Sequence, residues 1–206
     1  MDKLFFDIET IQCDDTMKEL FLSARKRGMD PEMTAEDIEK LYMETSFDGT
    51  WGRICCIAYI RENHTLEKGI LRGDEKELLQ RFWEIARDTE LFIGHNVLTF
   101  DLPFVFKRSI IHSIKPRQIP MVKFRFSPVF DTMAYWTNWG RGVGLNTLAK
   151  VFGFPSSKDE MDGSMVWPYY QQSRLDDICT YCMKDVELTR KVYYRMLLED
   201  IPFENS

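Results

Sequence analysis

Short apolar runs bounded by polar residues occupy the first half of the chain and predict buried strands. The first run spans residues 3–8, the second residues 54–60, and a third reaches Leu71 after the turn-like residues 61–64. Apolar, aromatic-rich runs of this length are typical of strands. Because a short turn joins antiparallel neighbours, the second and third runs are predicted to form a hairpin.

Helical periodicity becomes prominent after the hairpin. The later predicted elements are a helix capped by Asp74, a strand at residues 91–93, a helix from about residue 98, a strand at 129–130, and helices at 145–152 and 175–198. The hairpin requires antiparallel pairing, whereas helical crossovers require parallel pairing. The order therefore predicts an α/β fold with a mixed sheet and helices on both faces.

Residues 14–48 do not belong to this series. They carry ten Asp or Glu against five Lys or Arg, and they hold two helical patterns separated by residues 28–31. Thr34 is predicted to start the second helix. We interpret the segment as an acidic helical hairpin inserted between strands one and two, and as a candidate lid, oligomer contact or protein-partner site.

The composition predicts one ordinary domain. A chain of 206 residues with 44% hydrophobic content fills a single core, so we expect residues 1–206 to form one domain that carries the insertion. No run of eighteen apolar residues occurs, which predicts a soluble, cytoplasmic protein with no membrane partner. The five cysteines do not form the dense even framework of a small secreted domain, so reduced thiols are expected.

Charge is unevenly distributed. The net charge of −6 argues against a protein that coats duplex DNA. Residues 102–130 nevertheless contain no Asp or Glu, and they hold six cations, Lys107, Arg108, Lys115, Arg117, Lys123 and Arg125, with four phenylalanines interleaved. This composition suits a track for single-stranded nucleic acid, where charge follows the backbone and rings stack on bases. The alternative is a solvated basic loop with phenylalanines in the core.

Asp7 and Glu9 form the first candidate site, at the predicted end of the first strand. Side chains two apart on a strand share a face, so both carboxylates enter one small volume. Two carboxylates repel each other unless a cation lies between them, and Mg²⁺ or Mn²⁺ suits such a site. Taken alone, an Asp-x-Glu sequence is a weak signal and is more typical of solvated acids at a strand end.

Two further acids follow on later elements. Asp101 comes after Asn96 and Phe100 at the start of a predicted helix, where a helix dipole by itself favours an acid. In the last helix Tyr181 precedes Asp185 by four residues, which stacks the phenol and the carboxylate on one face. The order of these three elements carries more information than any one of them.

Together the three elements resemble the motifs of the DEDD exonuclease superfamily, which are Asp-x-Glu, Asn-x₂₋₃-Phe/Tyr-Asp and Tyr-x₃-Asp. Where the His branch carries its histidine, this chain has Thr180. The tyrosine form resembles the proofreading exonuclease domain of family B DNA polymerases and the free-standing predicted exonucleases related to it. The resemblance covers nearly the whole chain except residues 14–48.

The resemblance implies a ribonuclease H-like fold with a five-stranded sheet and a 3′-5′ exonuclease that uses two ions of Mg²⁺ or Mn²⁺. Asp7, Glu9 and Asp185 would hold one ion, Asp7 with Asp101 would hold the other, and Tyr181 would orient the attacking water. The implied substrate is single-stranded DNA with a free 3′ end, from which nucleoside monophosphates are released.

Other residues near the motifs are weaker candidates. Asn96 and Phe100 of the second motif, with Arg141 and Asn146 in and after a glycine-rich run, are candidate substrate contacts. Asp131 is a candidate brace for the site. A further residue, His95, is either a hydrogen-bond partner of the site or a structural residue.

Three alternative functions remain open from the sequence. An exoribonuclease is the runner-up, because no motif reports contact with a 2′-OH. A catalytically silent nucleic-acid-binding or scaffold module would keep the fold without the chemistry. An endonuclease on the same fold is the third, and the Tyr-x₃-Asp element argues against it.

Overall fold

The computed structural model describes residues 1–25, 33–155 and 161–203. Within them, five strands form one sheet: β1 (Lys3–Ile11), β2 (Arg53–Glu62), β3 (Leu66–Arg72), β4 (Leu91–Gly94) and β5 (Val129–Asp131). The strand order is β3-β2-β1-β4-β5. The β1–β2 and β2–β3 pairs are antiparallel, whereas β1–β4 and β4–β5 are parallel. The predicted hairpin and the predicted mixed sheet are confirmed.

Eight α-helices surround the sheet in the described part of the chain. They are α1 (Asp15–Arg25), α2 (Ala35–Glu44), α3 (Glu75–Ile85), α4 (Asp101–Ile111), α5 (Thr132–Thr137), α6 (Leu145–Val151), α7 (Val166–Gln171) and α8 (Leu175–Leu197). The short helices α5 and α7 were not predicted, because six residues are too few to show a helical period. The side chain of Asp131 accepts hydrogen bonds from the first turn of α5 and caps it.

Strict alternation along β1 divides its side chains between two cores. Phe5 packs in the core under α8, whereas Leu4, Phe6 and Ile8 pack in the core under α3 and α4. Helices therefore cover both faces of the sheet, as predicted. The same alternation directs the odd-numbered residues after Phe5 toward α8.

The first strand is longer than predicted. It does not end at the carboxylates but continues to Ile11, with a break in register opposite β2 that leaves Cys55 as the extra residue. A bulge of this kind redirects side chains. Cys55 and Cys56 consequently pack in the same core cluster, although adjacent strand residues normally face opposite sides.

The predicted helix at about Leu98 begins three residues later, at Asp101. Asn96 has a left-handed backbone with a φ of 67°, and the main-chain N–H groups of Asn96 and Leu98 donate to the carboxylate of Asp131. These contacts hold the connecting residues in a turn. Asp101 is therefore the first residue of its helix.

Two helices are present in the insertion, as expected. Thr34 and Asp37 form a reciprocal capping box at the start of α2. The hydroxyl of Tyr42 donates to the carbonyl of Cys13 at 2.9 Å, and this contact ties α2 to the end of β1. Residues 28–31, predicted to separate the helices, lie outside the described residues.

Among the described residues, none of the helices combines the length and the apolar character that crossing a lipid bilayer requires.

Candidate active site

The side chains of Asp7 and Glu9 face α8, the helix that carries the third motif. Burial and the neighbouring carboxylates of Asp185 and Glu9 raise the pKa of Tyr181, whose hydroxyl also hydrogen-bonds Asp185. Tyr181 and Asp185 thus act as one pair on the same helical face, as their spacing predicts. The first and third motifs meet at the surface between β1 and α8.

Asp101 reaches the site from the opposite edge of β1. The parallel pairing of β1 with β4 ends at Phe5, so the next residues of β1 have no strand partner on that side. The main-chain N–H of Ile8 donates instead to Oδ1 of Asp101 at 3.2 Å. The carboxylate of Asp101 replaces the missing strand partner, and it lies beside Asp7 with only 2% of its surface exposed.

Burial, with repulsion between the acids added to it, sets the electrostatics of this cluster. Burial, followed by the charges of Asp101 and Asp185, raises the pKa of Asp7 well above its usual value. Burial and the charge of Asp7 likewise raise the pKa of Glu9. Burial raises the pKa of Asp101 to about 7, although its hydrogen bonds oppose the shift. These three carboxylates therefore resist ionisation while they lie together.

The donor set of the cluster fits a divalent cation. Among the described residues, no lysine or arginine offsets the charge of Asp7, Glu9 or Asp101. Buried acids of this kind are paired or coordinate metals. Because all the charged donors are carboxylate oxygens, the set favours hard cations such as Mg²⁺ or Mn²⁺.

Cys182 is a site residue that the motifs do not include. Its thiol donates to the carbonyl oxygen of Asp7 at 3.4 Å and lies 3.7 Å from Oδ2 of the same residue. Burial raises the pKa of Cys182, so the thiol stays protonated and serves as a donor. Its position three residues before Asp185 on α8 is the signal that would have revealed it, because residues at that spacing share a helical face.

Asp131 and His95 hold the frame of the site. The carboxylate of Asp131 accepts from four main-chain N–H groups, two before α4 and two at the start of α5. Nε2 of His95 donates to the carbonyl of Val143 at 2.8 Å, and Nδ1 contacts the hydroxyl of Thr132 at 2.9 Å. These contacts favour the structural interpretation of His95 and give Asp131 the bracing position expected of it.

A cleft of about 540 Å³ opens beside Glu9. Phe100 of the second motif lines it, together with Met43, Ser46 and Phe47 from the end of the insertion. The ring of Phe47 is 72% exposed. No local pattern of residues points to Phe47, because only the fold brings the end of the insertion beside the second motif.

The remaining predicted substrate contacts are scattered. Asn96 accepts from the hydroxyl of Thr99 within the turn before α4. Arg141 is exposed in the loop before α6, and Asn146 is the second residue of α6. None of these three predicted contacts lines the cleft.

The predicted basic track is not continuous. Arg108 is buried against Glu75, and Arg117 donates to three main-chain carbonyls at the end of α3 and beyond it. Lys107 pairs with Asp48 at 2.5 Å. These three cations already have partners within the chain, which fits the alternative of a basic loop better than a continuous phosphate track.

Comparisons with known proteins identify the family and the fold. The family model described as "predicted 3′-5′ exonuclease related to the exonuclease domain of PolB" matches residues 50–204. The fold is similar to that of the family B DNA polymerase from the hyperthermophilic archaeon Pyrobaculum calidifontis, with a TM-score of 0.64 and 15% identity. The match covers 96% of this chain and 24% of the polymerase chain. No curated protein matches the sequence. The ribonuclease H-like fold is confirmed.

Proposed function

Because the chain belongs to the family of predicted 3′-5′ exonucleases related to the exonuclease domain of family B DNA polymerases, we propose that it removes nucleotides from the 3′ end of single-stranded DNA. Membership of this family already makes the chain a nuclease that acts on nucleic acid. The DNA substrate, the two-ion chemistry and the roles of individual residues are the content of the proposal.

The observation that carries the proposal is the convergence of Asp7, Glu9 and Asp101 beside the pair formed by Tyr181 and Asp185. In the proposed site, Asp7, Glu9 and Asp185 would hold one divalent ion, and Asp7 with Asp101 would hold a second. When bound, such ions supply positive charge to the attacking and leaving oxygens of a phosphoryl displacement. The carboxylates hold this charge in place, and their mutual repulsion is relieved at the same time.

Tyr181 positions the nucleophile in this proposal. Its raised pKa keeps the hydroxyl protonated at physiological pH, and the proton is directed to Asp185. The phenol oxygen is then able to accept a hydrogen bond from the attacking water and to fix the direction of attack. Since this contact concerns orientation, its removal costs less than removal of a carboxylate.

The cleft beside Glu9 would receive the 3′-terminal nucleotide. Phe47 and Phe100 present rings to it, and base stacking on aromatic side chains tolerates any sequence. The insertion would then act as one wall of the terminal-nucleotide pocket within a single domain of residues 1–206. Replacement of Phe47 by alanine should raise the KM for a single strand severalfold and leave kcat nearly unchanged. Ile110→Ala, an exposed apolar residue on α4, is the matched control.

A time course on 5′-labelled single-stranded DNA tests the proposal. With Mn²⁺ or Mg²⁺ we expect a ladder that shortens from the 3′ end, no products in EDTA, and no products from Asp7→Ala. A circular single strand should survive, and its cleavage would identify an endonuclease.

Two results would contradict the proposal. Faster decay of an RNA strand of the same sequence would replace DNA by RNA as the substrate. Intact strands in the presence of Mn²⁺ would leave a nucleic-acid-binding or scaffold role.

A further inference from the structure

A surface next to the β5 edge of the sheet combines an exposed ring and a half-buried ring with cations. We define the aromatic-basic patch as Lys123, Phe124, Arg125, Trp139 and Arg141. The ring of Phe124 is 74% exposed, and it lies 5.3 Å from the ring of Trp139, measured between centroids. The two rings belong to different loops, one before β5 and one after α5. The tertiary structure therefore creates a ring pair that neither loop forms alone.

The backbone at these rings is unusual. Phe124 has a φ of 65° and Trp139 has a φ of 64°. The left-handed region is rarely adopted by bulky residues, and such residues occur where the surroundings impose the conformation. The ring of Trp139 stacks on that of Phe126, with 5.9 Å between ring centroids. The main-chain N–H of Trp139 donates to the carbonyl of Ala134 at 3.1 Å. These contacts hold Trp139 from behind and leave Phe124 presented to solvent.

The cations of the patch differ from the other cations of the basic segment. Lys107, Arg108 and Arg117 are committed to the fold by the contacts described above. In contrast, Lys123, Arg125 and Arg141 are exposed, and none of them forms an ion pair with any residue that the structure describes. Residues 102–130 contain no acid that would offset this charge. The patch is thus positive in a protein of net charge −6.

The patch is connected to the candidate active site. Arg141 lies two residues before Val143, whose carbonyl accepts from Nε2 of His95 at 2.8 Å. His95 follows β4 directly and precedes the turn that leads to Asp101. The loop that carries Trp139 and Arg141 is therefore fixed to the segment that carries a proposed ion ligand.

We propose that the aromatic-basic patch binds the substrate strand upstream of its 3′ end, as a second contact separate from the terminal-nucleotide pocket. This inference rests on the proposed function. Exposed rings suit unpaired bases, and cations beside them suit the phosphates between the bases. The surface of a folded acidic protein would also complement the positive charge of the patch. The adjacent, tilted rings of Phe124 and Trp139, with cations near them in the chain, favour a flexible single strand whose bases are free to stack.

The test compares a short strand with a long one. Fluorescein-labelled oligo(dT) of about four and about twenty nucleotides brackets the site sizes of single-strand binders. Affinity is measured by fluorescence anisotropy in EDTA, so that neither strand is cut. We expect the wild type to bind the long strand more tightly. Phe124→Ala should weaken long-strand binding by about tenfold, because base stacking on a ring contributes roughly 1–3 kcal/mol.

A second variant tests the charges without altering the rings. Lys123→Ala/Arg125→Ala should lower the salt slope of long-strand binding by about 1.4, or roughly 0.7 for each lost phosphate contact. Lys76→Ala/Arg87→Ala removes two exposed cations elsewhere and is the matched control. Both test variants should bind the short strand as the wild type does. They should also release its 3′ nucleotide at the wild-type rate with Mn²⁺.

Other outcomes would overturn the inference. Long-strand affinity within twofold of wild type in both variants would exclude the patch from substrate binding. A change in solution mass with unchanged long-strand affinity would identify a protein interface instead. If the wild type cuts neither strand, the proposed function fails and this inference fails with it. If it cuts both but binds the long strand no better, only the inference fails.

Discussion

The protein buries carboxylates in two kinds of place, and it treats them differently. The carboxylate of Glu75 accepts hydrogen bonds from Nε and Nη2 of Arg108 at 2.9 and 2.7 Å. It also accepts from Nε2 of His112 at 2.8 Å and from the main-chain N–H of Ile54 at 2.7 Å. On the other face of the sheet Glu62 pairs with Arg190. Each of these acids is neutralised by an arginine of the chain.

The carboxylates of the candidate active site have no such partner. Around Asp7, Glu9 and Asp101 the described residues provide hydrogen-bond donors but no offsetting cation. Burial, followed by repulsion from neighbouring acids, raises the pKa values of these three groups. An uncompensated buried charge is costly, so such acids either take up a proton, as their raised pKa values indicate, or bind a cation. The difference separates acids that an arginine of the chain neutralises from acids for which we propose a bound cation.

The largest expected effect is on catalysis. Asp7→Asn keeps the shape of the side chain and removes its charge, so the rate of 3′-nucleotide release should fall by at least about a thousandfold. The thermal unfolding midpoint in EDTA should not fall. Asp88→Asn, an exposed acid, serves as control. A rate within tenfold of wild type would remove Asp7 from the chemistry.

Breaking the internal pair should act on stability instead. Arg108→Met leaves Glu75 buried without its arginine, at a cost of about 3–5 kcal/mol in the free energy of unfolding. The double variant Arg108→Met/Glu75→Gln should recover part of this loss, since no buried charge remains. Urea unfolding measures both values. Equal losses in the single and the double variant would show that the pair contributes packing alone.

Removal of an acid from the candidate active site should raise the free energy of unfolding, whereas breaking the Arg108–Glu75 pair lowers it. The folded pKa of Asp101 is raised to about 7 from an unfolded value of about 3.9, so its contribution to stability is complete below pH 4 and is lost as the pH rises to about 7. Without metal, Asp101→Asn should therefore be more stable than wild type at pH 8, by roughly 2–4 kcal/mol. At pH 4 the two proteins should unfold at the same urea concentration. A destabilised variant at pH 8 would contradict the contrast.

Divalent ions should stabilise the wild type by binding the folded state. At a Mn²⁺ concentration of about 100 times the Kd, the expected gain is about 2.7 kcal/mol. The gain should shrink as the pH falls below about 7, because protons then compete for the raised carboxylates. Differential scanning calorimetry at two pH values measures it. Asp7→Asn should lose most of the gain, whereas Glu75→Gln should retain it.

The smallest effects concern two tyrosines that each contact an acid. Tyr181→Phe should lower the rate of nucleotide release by about tenfold to a hundredfold and leave stability nearly unchanged. Tyr194→Phe removes a hydroxyl that donates to Glu62, and it should cost about 1–3 kcal/mol of stability without changing the rate. If Tyr181→Phe lowered stability and Tyr194→Phe lowered the rate, Asp185 would be the structural acid and Glu62 the functional one.

The local signals in the sequence were sufficient for most of the architecture. The apolar runs, the Asp74 cap and the long last helix were predicted from residues close together in the chain, and the structure confirms them. Helical and strand periods depend on which side of an element faces the core, so they are readable locally. The spacing within each motif is likewise readable from residues close together in the chain.

The tertiary structure decided what depends on distant contacts. The extension of β1 past Glu9 follows from pairing with β2, and the start of α4 at Asp101 follows from hydrogen bonds to Asp131. Likewise, three predicted track cations were assigned to the fold only when their acid and carbonyl partners arrived from elsewhere. The sequence alone does not show which distant acids and carbonyl groups will contact these cations.

The carboxylates show both what the sequence determined and what only the tertiary structure decided. By itself the sequence determined that Asp7, Glu9, Asp101 and Asp185 occur in the motif order of one exonuclease superfamily. Whether an acid is neutralised depends on which charge lies within a few ångströms of it in space, and Coulomb interactions do not follow chain order. Glu75 is as acidic in the sequence as Glu9, and only the fold gives Glu75 an arginine and leaves Glu9 among other acids.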